Sequence, residues 1–224
     1  MIIVHHLNLS RSHRIIWLLE ELGLEYELKT YPRDPKTRLG PKEMYQIHPL
    51  GKFPVITDGD VTLAESGAII EYILFKYGAG RLKPVEGSPE WVQYLYWLHF
   101  AEGSFMPIVI TQLILNMVYK TSPFLIKPIS AAIRAKVNKG YTTPRLTGML
   151  NYLEATLAKN TWLTGEEFSA ADINMGLSVL LSNLHKAKDA DRPHLRQYVQ
   201  RLEQRPAYIR TLEVAGPVFG GIWE

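Results

Sequence analysis

Ser10-Arg11-Ser12-His13-Arg14 stands directly after an apolar run, Ile2 to His6, and directly before a stretch with helical periodicity that ends at Gly23. A ligand bound here meets the positive end of a helix. Unpaired N–H groups and the macrodipole favour an anion, and a serine hydroxyl can donate one further hydrogen bond to it. If the anion is a thiolate, its pKa falls by about 1 to 2 units, or about 1.4 to 2.7 kcal/mol. Ser10 in such a place also fits a plain helix cap. The chain has no cysteine, so thiol chemistry must bring its sulfur in on a ligand, and disulfides and zinc-thiolate sites are excluded.

A second constellation runs His48-Pro49-Leu50-Gly51-Lys52-Phe53-Pro54-Val55-Ile56, followed by Leu63-Ala64-Glu65-Ser66-Gly67. A proline entering a strand, as Pro54 does, can be cis and leave the backbone of Phe53 free to pair with an extended peptide. Glu65 can accept from an ammonium, Ser66 as N-cap can offer its hydroxyl and helix N–H groups to a carboxylate, and Lys52 adds a mobile cation for a second carboxylate. Each piece has an ordinary structural use as well: a turn at Pro49 to Lys52, a strand edge at Pro54, a cap at Ser66.

The seven histidines raise the question of metal. His5 and His6 are adjacent on a strand and point to opposite faces, and the others show no HExxH or i, i+4 pairing, so no metal site is expected. The net charge is +3, and the basic residues are too scattered for nucleic acid. Between Glu102 and Glu154 there is no acidic residue, whereas Lys120, Lys127, Arg134, Lys136, Lys139 and Arg145 fall inside. That segment reads as a solvated basic face or as a source of steering for anionic ligands.

The elements that position these residues follow from periodicity. The first part reads β-α-β, then β-β-α: Ile2 to His6, Ser10 to Leu22, Glu25 to Tyr31, Pro54 to Thr57, Val61 to Leu63 and Ser66 to Tyr77. Gly78 to Pro89 changes composition and reads as a connection between domains. Helical patterns follow: Pro89 to Tyr119, Ser130 to Ala158, Ala170 to Ala187, His194 to Gln204 and Ala207 to Val214. The expected division is residues 1–80, a linker at 81–88, and an all-helical domain at 89–224. The apolar stretch Phe105 to Val118 is shorter than the roughly 20 residues that cross a bilayer and is expected to be a core helix. With 46% hydrophobic and 21% charged residues the composition is that of an ordered globular protein. The segment after Met1 lacks a basic leader and cleavage site, so a cytoplasmic protein is expected.

With these motifs in this order, the chain resembles the cytosolic glutathione transferases, and its closest look is to fungal and bacterial transferases of yeast type. The resemblance covers the whole chain and implies a thioredoxin-like α/β first domain followed by an all-α domain. Ser10 precedes Arg14 by four positions, as the catalytic serine does in theta-like and delta-like members. Phe53-Pro54 resembles the family's cis-proline element, Glu65-Ser66 its clamp for the γ-glutamyl end of glutathione, and Lys52 the side chain that meets the glycine carboxylate. Leu163-Thr164-Gly165 followed by Ser169-Ala-Ala-Asp172-Ile173 resembles the capping box and hydrophobic staple that begin a buried helix of the second domain. The position two after the catalytic serine is often proline in relatives and is Ser12 here; Ser12 is expected in the first helical turn, pointing along the helix surface. The strand end carries His5, His6 and Leu7, which argues against tyrosine activation.

The resemblance implies an enzyme that joins the glutathione thiolate, with Ser10 as its partner, to a hydrophobic electrophile in a detoxification role. Glutathione is a co-substrate, and reduction of peroxides would also use its sulfur directly. The acceptor pocket is expected at Phe105, Met106 and Val109. A homodimer is implied, without nucleic-acid or membrane partners. The alternative from another class is a transferase-shaped binding module that has lost turnover.

Overall fold

A computed structural model describes residues 1–34, 37, 39–182 and 192–218. The chain opens with β1 (Ile2–Leu7), α1 (His13–Leu22) and β2 (Tyr26–Tyr31), then a short α2 (Met44–Ile47), β3 (Val55–Asp58), β4 (Val61–Ala64) and α3 (Ser66–Tyr77). The sheet order is β2-β1-β3-β4. β1 pairs parallel to β2, with Val4 opposite Leu28, and antiparallel to β3, with Val4 opposite Ile56; β3 and β4 form an antiparallel pair. β1, one of the two inner strands, is buried at every position but Ile3, which is why its apolar run does not alternate.

Helix α1 buries Ile15, Ile16, Trp17, Leu18, Leu19 and Leu22. Its end is set by Gly23, whose φ of +61° is left-handed, while the Leu24 N–H reaches back to the Leu19 carbonyl at 3.0 Å. A residue with a Cβ would be strained in that conformation. The helix begins at His13 and not at Ser10 as the periodicity suggested. Leu9 takes a φ of +57°, and the Ser12 N–H donates to Ser10 Oγ at 3.2 Å, so a side-chain turn occupies the residues before the helix.

The second part is helical throughout its described elements: α4 (Pro89–Phe100), a π-helical turn at Ala101–Phe105, α5 (Met106–Thr121), α6 (Lys127–Val137), a second π-helical turn at Asn138–Thr142, α7 (Thr143–Leu157), α8 (Ala170–Ser182), α9 (Pro193–Glu203) and α10 (Pro206–Ala215). Ser88 caps α4 by accepting the Trp91 N–H at 3.1 Å. Every residue of α8 from Ala170 to Leu181 is buried. The expected continuation of that helix to Ala187, including Leu184, lies outside the described residues. Helix α1 packs against both α8 and α10, and one apolar core runs from Val4 and Trp17 through Trp97 to Leu180 and Leu202.

The start of α8 is fixed by Asp172, which is fully buried and accepts hydrogen bonds from the Ser169 N–H at 2.9 Å, the Ser169 hydroxyl at 3.0 Å, the Leu163 N–H at 2.9 Å and the Tyr198 hydroxyl at 3.3 Å. Burial raises its pKa to about 6 against the opposing pull of these donors. The reading of Phe105 to Val118 as a core helix holds only at its beginning. Phe105, Met106, Ile108 and Val109 are buried, but Ile114, Met117 and Val118 are about half exposed, because α5 runs on beyond the elements that cover its first turn.

Candidate active site

The loop from β1 to α1 sets a row of hydroxyls and imidazoles. Ser12 is fully buried, and its hydroxyl lies 2.7 Å from His6 Nδ1 and 2.6 Å from Ser10 Oγ. His6 Nε2 faces the Ala215 carbonyl at 3.2 Å, and a carbonyl only accepts, so that nitrogen carries the proton. The Nδ1 atom of a neutral His6 is then an acceptor and takes the Ser12 hydroxyl proton. Ser12 Oγ in turn accepts from Ser10, the half-buried outer member of the row. Burial, then the neighbouring His13, lowers the His6 pKa to about 4, so the ring is neutral near pH 7.

His13 sets the second tie between the serine loop and the end of α10. Its Nδ1 lies 3.0 Å from the Ser10 carbonyl and its Nε2 3.1 Å from the Gly216 carbonyl. His6 thus ties the loop to Ala215, more than 200 residues on, and His13, which when neutral donates to only one of its two carbonyls, ties it to Gly216 in the tautomer protonated at Nε2. The expectation that Ser12 would point along the helix surface fails here: position 12 faces the interior, and a hydroxyl there is satisfied by His6.

Arg14 is completely buried, an unusual place for a guanidinium. Burial, then the nearby Arg11 cation, pulls its pKa down. It is held by Glu102 at its Nη1, by the Ser178 hydroxyl at 2.7 Å and by Ser66 Oγ at 3.3 Å, to all of which it donates. Glu102 also accepts from Arg11 at 2.6 Å. The π-helical turn places this carboxylate under both arginines, joining the serine loop, α3, α8 and the start of α5. Sequence reading missed Glu102, Ser178 and the two histidines; the available signal was the pair of arginines flanking Ser12 with no acidic residue nearby in sequence.

Arg11, Leu50, Lys52, Phe53, Pro54, Ala64, Glu65 and Ser66 line one cleft beside this loop. The Phe53-Pro54 bond is cis, Phe53 and Pro54 are buried, and Lys52 and Glu65 are exposed. Gly51 turns the chain into this segment with a φ of +55°, and a Cβ there would come within 2.8 Å of the Tyr45 ring. Glu65 has a φ of +72°, strained for a residue with a Cβ, and it, not Ser66, is the cap position of α3. Ser66 is the first helical residue, buried, with its Oγ turned to Arg14. The structure thus gathers Lys52, Phe53, Pro54, Glu65 and Ser66 along one cleft with Arg11; Ser10, next to Arg11 in the chain, does not itself line it, and its hydroxyl contacts Ser12.

Phe105, Met106 and Val109 do not form an acceptor pocket: they are 0%, 5% and 4% exposed and packed in the core. The π-helical turn shifts the helix phase, and a groove of about 520 Å³ is lined instead by Leu95, Tyr96, His99, Phe100, Gly103 and Ser104. Among the described residues no cluster of three metal-binding side chains occurs.

Comparison with known proteins bears on this arrangement. A family model described as the glutathione S-transferase N-terminal domain matches residues 1–74, and one described as the glutathione S-transferase C-terminal domain matches residues 117–206. Glutathione S-transferase 3 of Schizosaccharomyces pombe is 32% identical over 208 residues, covering 92% of this chain and 85% of its own length. Glutathione S-transferase 1 of Saccharomyces cerevisiae is 30% identical over 221 residues, covering 95% and 94%. Among solved structures, a glutathione S-transferase from Actinobacillus pleuropneumoniae superposes with a TM-score of 0.77 at 30% identity, covering 100% of this chain and 99% of its own. A theta class glutathione S-transferase from Xanthomonas axonopodis pv. citri with glutathione bound matches in fold, with a TM-score of 0.74 at 23% identity, covering 96% and 99%.

Proposed function

The chain belongs to the glutathione S-transferase family, and from that premise we propose that Ser10 activates the thiol of glutathione while Lys52, Phe53, Pro54, Glu65 and Ser66 hold the tripeptide. The activity is that of a glutathione transferase: the S–H bond of glutathione breaks, its proton passing to water, and the sulfur forms a bond to an electrophilic carbon whose bond to its leaving group breaks, the halide of an aryl halide departing as the anion. The two carboxylates and one ammonium of glutathione meet one cation, one carboxylate and a hydroxyl at a helix start. Lys52 suits the glycine carboxylate, Glu65 the ammonium, and Ser66 with the start of α3 the γ-glutamyl carboxylate. Phe53 presents its backbone at the cis bond to the extended peptide.

The observation that carries the assignment of Ser10 is its place as the outer end of the hydroxyl row. Ser12 is fully enclosed and its proton is committed to His6, whereas Ser10 can turn its O–H from Ser12 toward a bound sulfur. That exchange gives up a neutral hydrogen bond contributing about 0.5 to 1.5 kcal/mol for one to a charged group contributing about 1.5 to 3 kcal/mol. The balance favours thiolate over thiol by about one pKa unit. The free N–H groups of α1 contribute less than its position suggests, because the Arg14 and Ile15 N–H groups already bond to the Arg11 and Ser12 carbonyls.

The hydrophobic electrophile is proposed to lie in the groove of Leu95, Tyr96, His99 and Phe100. A homodimer and a cytoplasmic location belong to the same reading and rest on the family resemblance; a light-scattering mass near that of one 25.6 kDa chain would refute the dimer.

Ser10→Ala tests the assignment. Turnover of a generic aryl halide should fall about 10-fold to 150-fold at neutral pH, with retention on glutathione resin little changed and the bound thiol pKa raised. Ser12→Ala should leave a functional Ser10 but lose about 1 to 3 kcal/mol of stability, since His6 Nδ1 would have no donor. If Ser12→Ala shifts the thiolate absorbance titration and Ser10→Ala does not, the roles are reversed.

A further inference from the structure

The hairpin of α5 and α6 carries apolar side chains where a soluble surface normally carries polar ones. At its tip Phe124 and Leu125 are 87% and 85% exposed. Behind the tip each helix continues the exposure at helical spacing: Ile110, Ile114, Met117 and Val118 on α5, and Ile129 and Ile133 on α6, with Ile126 exposed just before α6. Scattered single residues of this kind are ordinary, but a run of this length marks a contact surface.

The charges that this segment itself carries have one sign. No acidic residue falls between Glu102 and Glu154, and six basic ones do. Lys127 and Arg134 gather over the ring of Tyr119, at 5.3 and 4.0 Å from its centroid, and a groove of about 440 Å³ brings Tyr119, Phe124, Leu125 and Lys127 to one place. Lys120, Lys136 and Lys139 are exposed nearby in sequence.

From this pairing of an apolar tip with a cationic flank we propose that the α5–α6 hairpin docks the enzyme peripherally on an anionic lipid surface. Phe124 and Leu125 enter the boundary between headgroups and acyl chains, and the lysines and arginines remain among the headgroups. The chain does not span the bilayer in this arrangement. The helical run Pro89–Thr121 is long and apolar enough by composition to cross, but it buries Tyr94, Trp97, Leu98, Ala101 and Phe105 in the protein core.

The test is co-sedimentation with phosphatidylcholine vesicles, with and without about one third phosphatidylserine. The anionic vesicles should bind the wild-type protein at least about 10-fold more strongly, and salt near 1 M, where the screening length is about 3 Å, should abolish that gain. The double variant Phe124→Ser, Leu125→Ser should weaken binding about 10-fold or more while turnover of a soluble aryl halide stays unchanged. Lys120→Gln with Lys127→Gln should weaken it about 5-fold per charge. The proposal fails if wild-type protein stays in the supernatant with anionic vesicles. It also fails if the serine variant binds as wild type does, which would mean simple charge adhesion, or if that variant alters only the light-scattering mass, which would make the face a contact between copies.

Discussion

The serine loop and the α5–α6 hairpin invert the usual distribution of polarity in opposite directions. Around Ser12 the protein encloses two histidines, a serine and a guanidinium; at Phe124 it leaves large apolar groups uncovered. The enclosed polar groups are tolerated because nearly every one has a partner, from the His6 and His13 carbonyl contacts to the carboxylate shared by Arg11 and Arg14. Among the described residues, the uncovered apolar groups have no such compensation. In the reading proposed above, the first region preorganises the hydroxyl of Ser10 and the second keeps a surface for docking, each against folding free energy.

The largest effect that could break this comparison is at Glu102. Glu102→Ala removes the carboxylate from a fully buried Arg14, and loss of one partner of such a pair costs about 3 to 5 kcal/mol. Urea unfolding should show that loss, and turnover should fall with it because the loop loses its anchor. A variant as stable as wild type would mean that Arg14 is not held as a cation.

A smaller effect comes from acid. The folded pKa of His6 lies near 4, below its ordinary 6.5, so between those values the unfolded chain binds a proton that the folded chain does not. Stability should therefore rise as pH climbs from about 4 to about 6.5, by about 3 kcal/mol in total from this group, and stay level above. Asp172 contributes the opposite slope, since its folded pKa near 6 lies above its ordinary 3.8. The His6 contribution is read as the difference between wild type and His6→Gln across that range. If the two stabilities change in parallel with pH, His6 does not hold its proton-free state in the folded protein.

The smallest expected effect sharpens the other side. Phe124→Ser should change unfolding free energy by no more than about 0.5 kcal/mol, because a side chain that is 87% exposed has little burial to lose. A loss above about 2 kcal/mol would show that the tip packs within the folded chain, and the contrast between the two regions would disappear.

Much of this was written in the sequence. Period-3.6 runs, the glycine at position 23 and the order of strands and helices determined a β-α-β, β-β-α unit followed by helices, because these signals act over a few residues. The segments that build the cleft were legible for the same reason: a turn ending in Lys52-Phe53-Pro54 and a strand-to-helix junction at Glu65-Ser66 carry their chemistry locally. The Ser169 and Asp172 box was also legible, since both partners lie within one turn.

What only the tertiary structure decided involves groups distant in sequence or the phase of a helix. Ser12 is interior because β1 supplies His6 and α10 ends at Ala215, and no local pattern encodes that meeting. Glu102 reaches Arg14 across 88 positions, and Phe105, Met106 and Val109, expected to line a pocket, are packed in the core at and after a π-helical turn. The same limit explains the hairpin. A run of isoleucine, leucine, methionine and valine has one composition whether neighbouring helices cover it or end short of it, and only packing distinguishes a core from a surface.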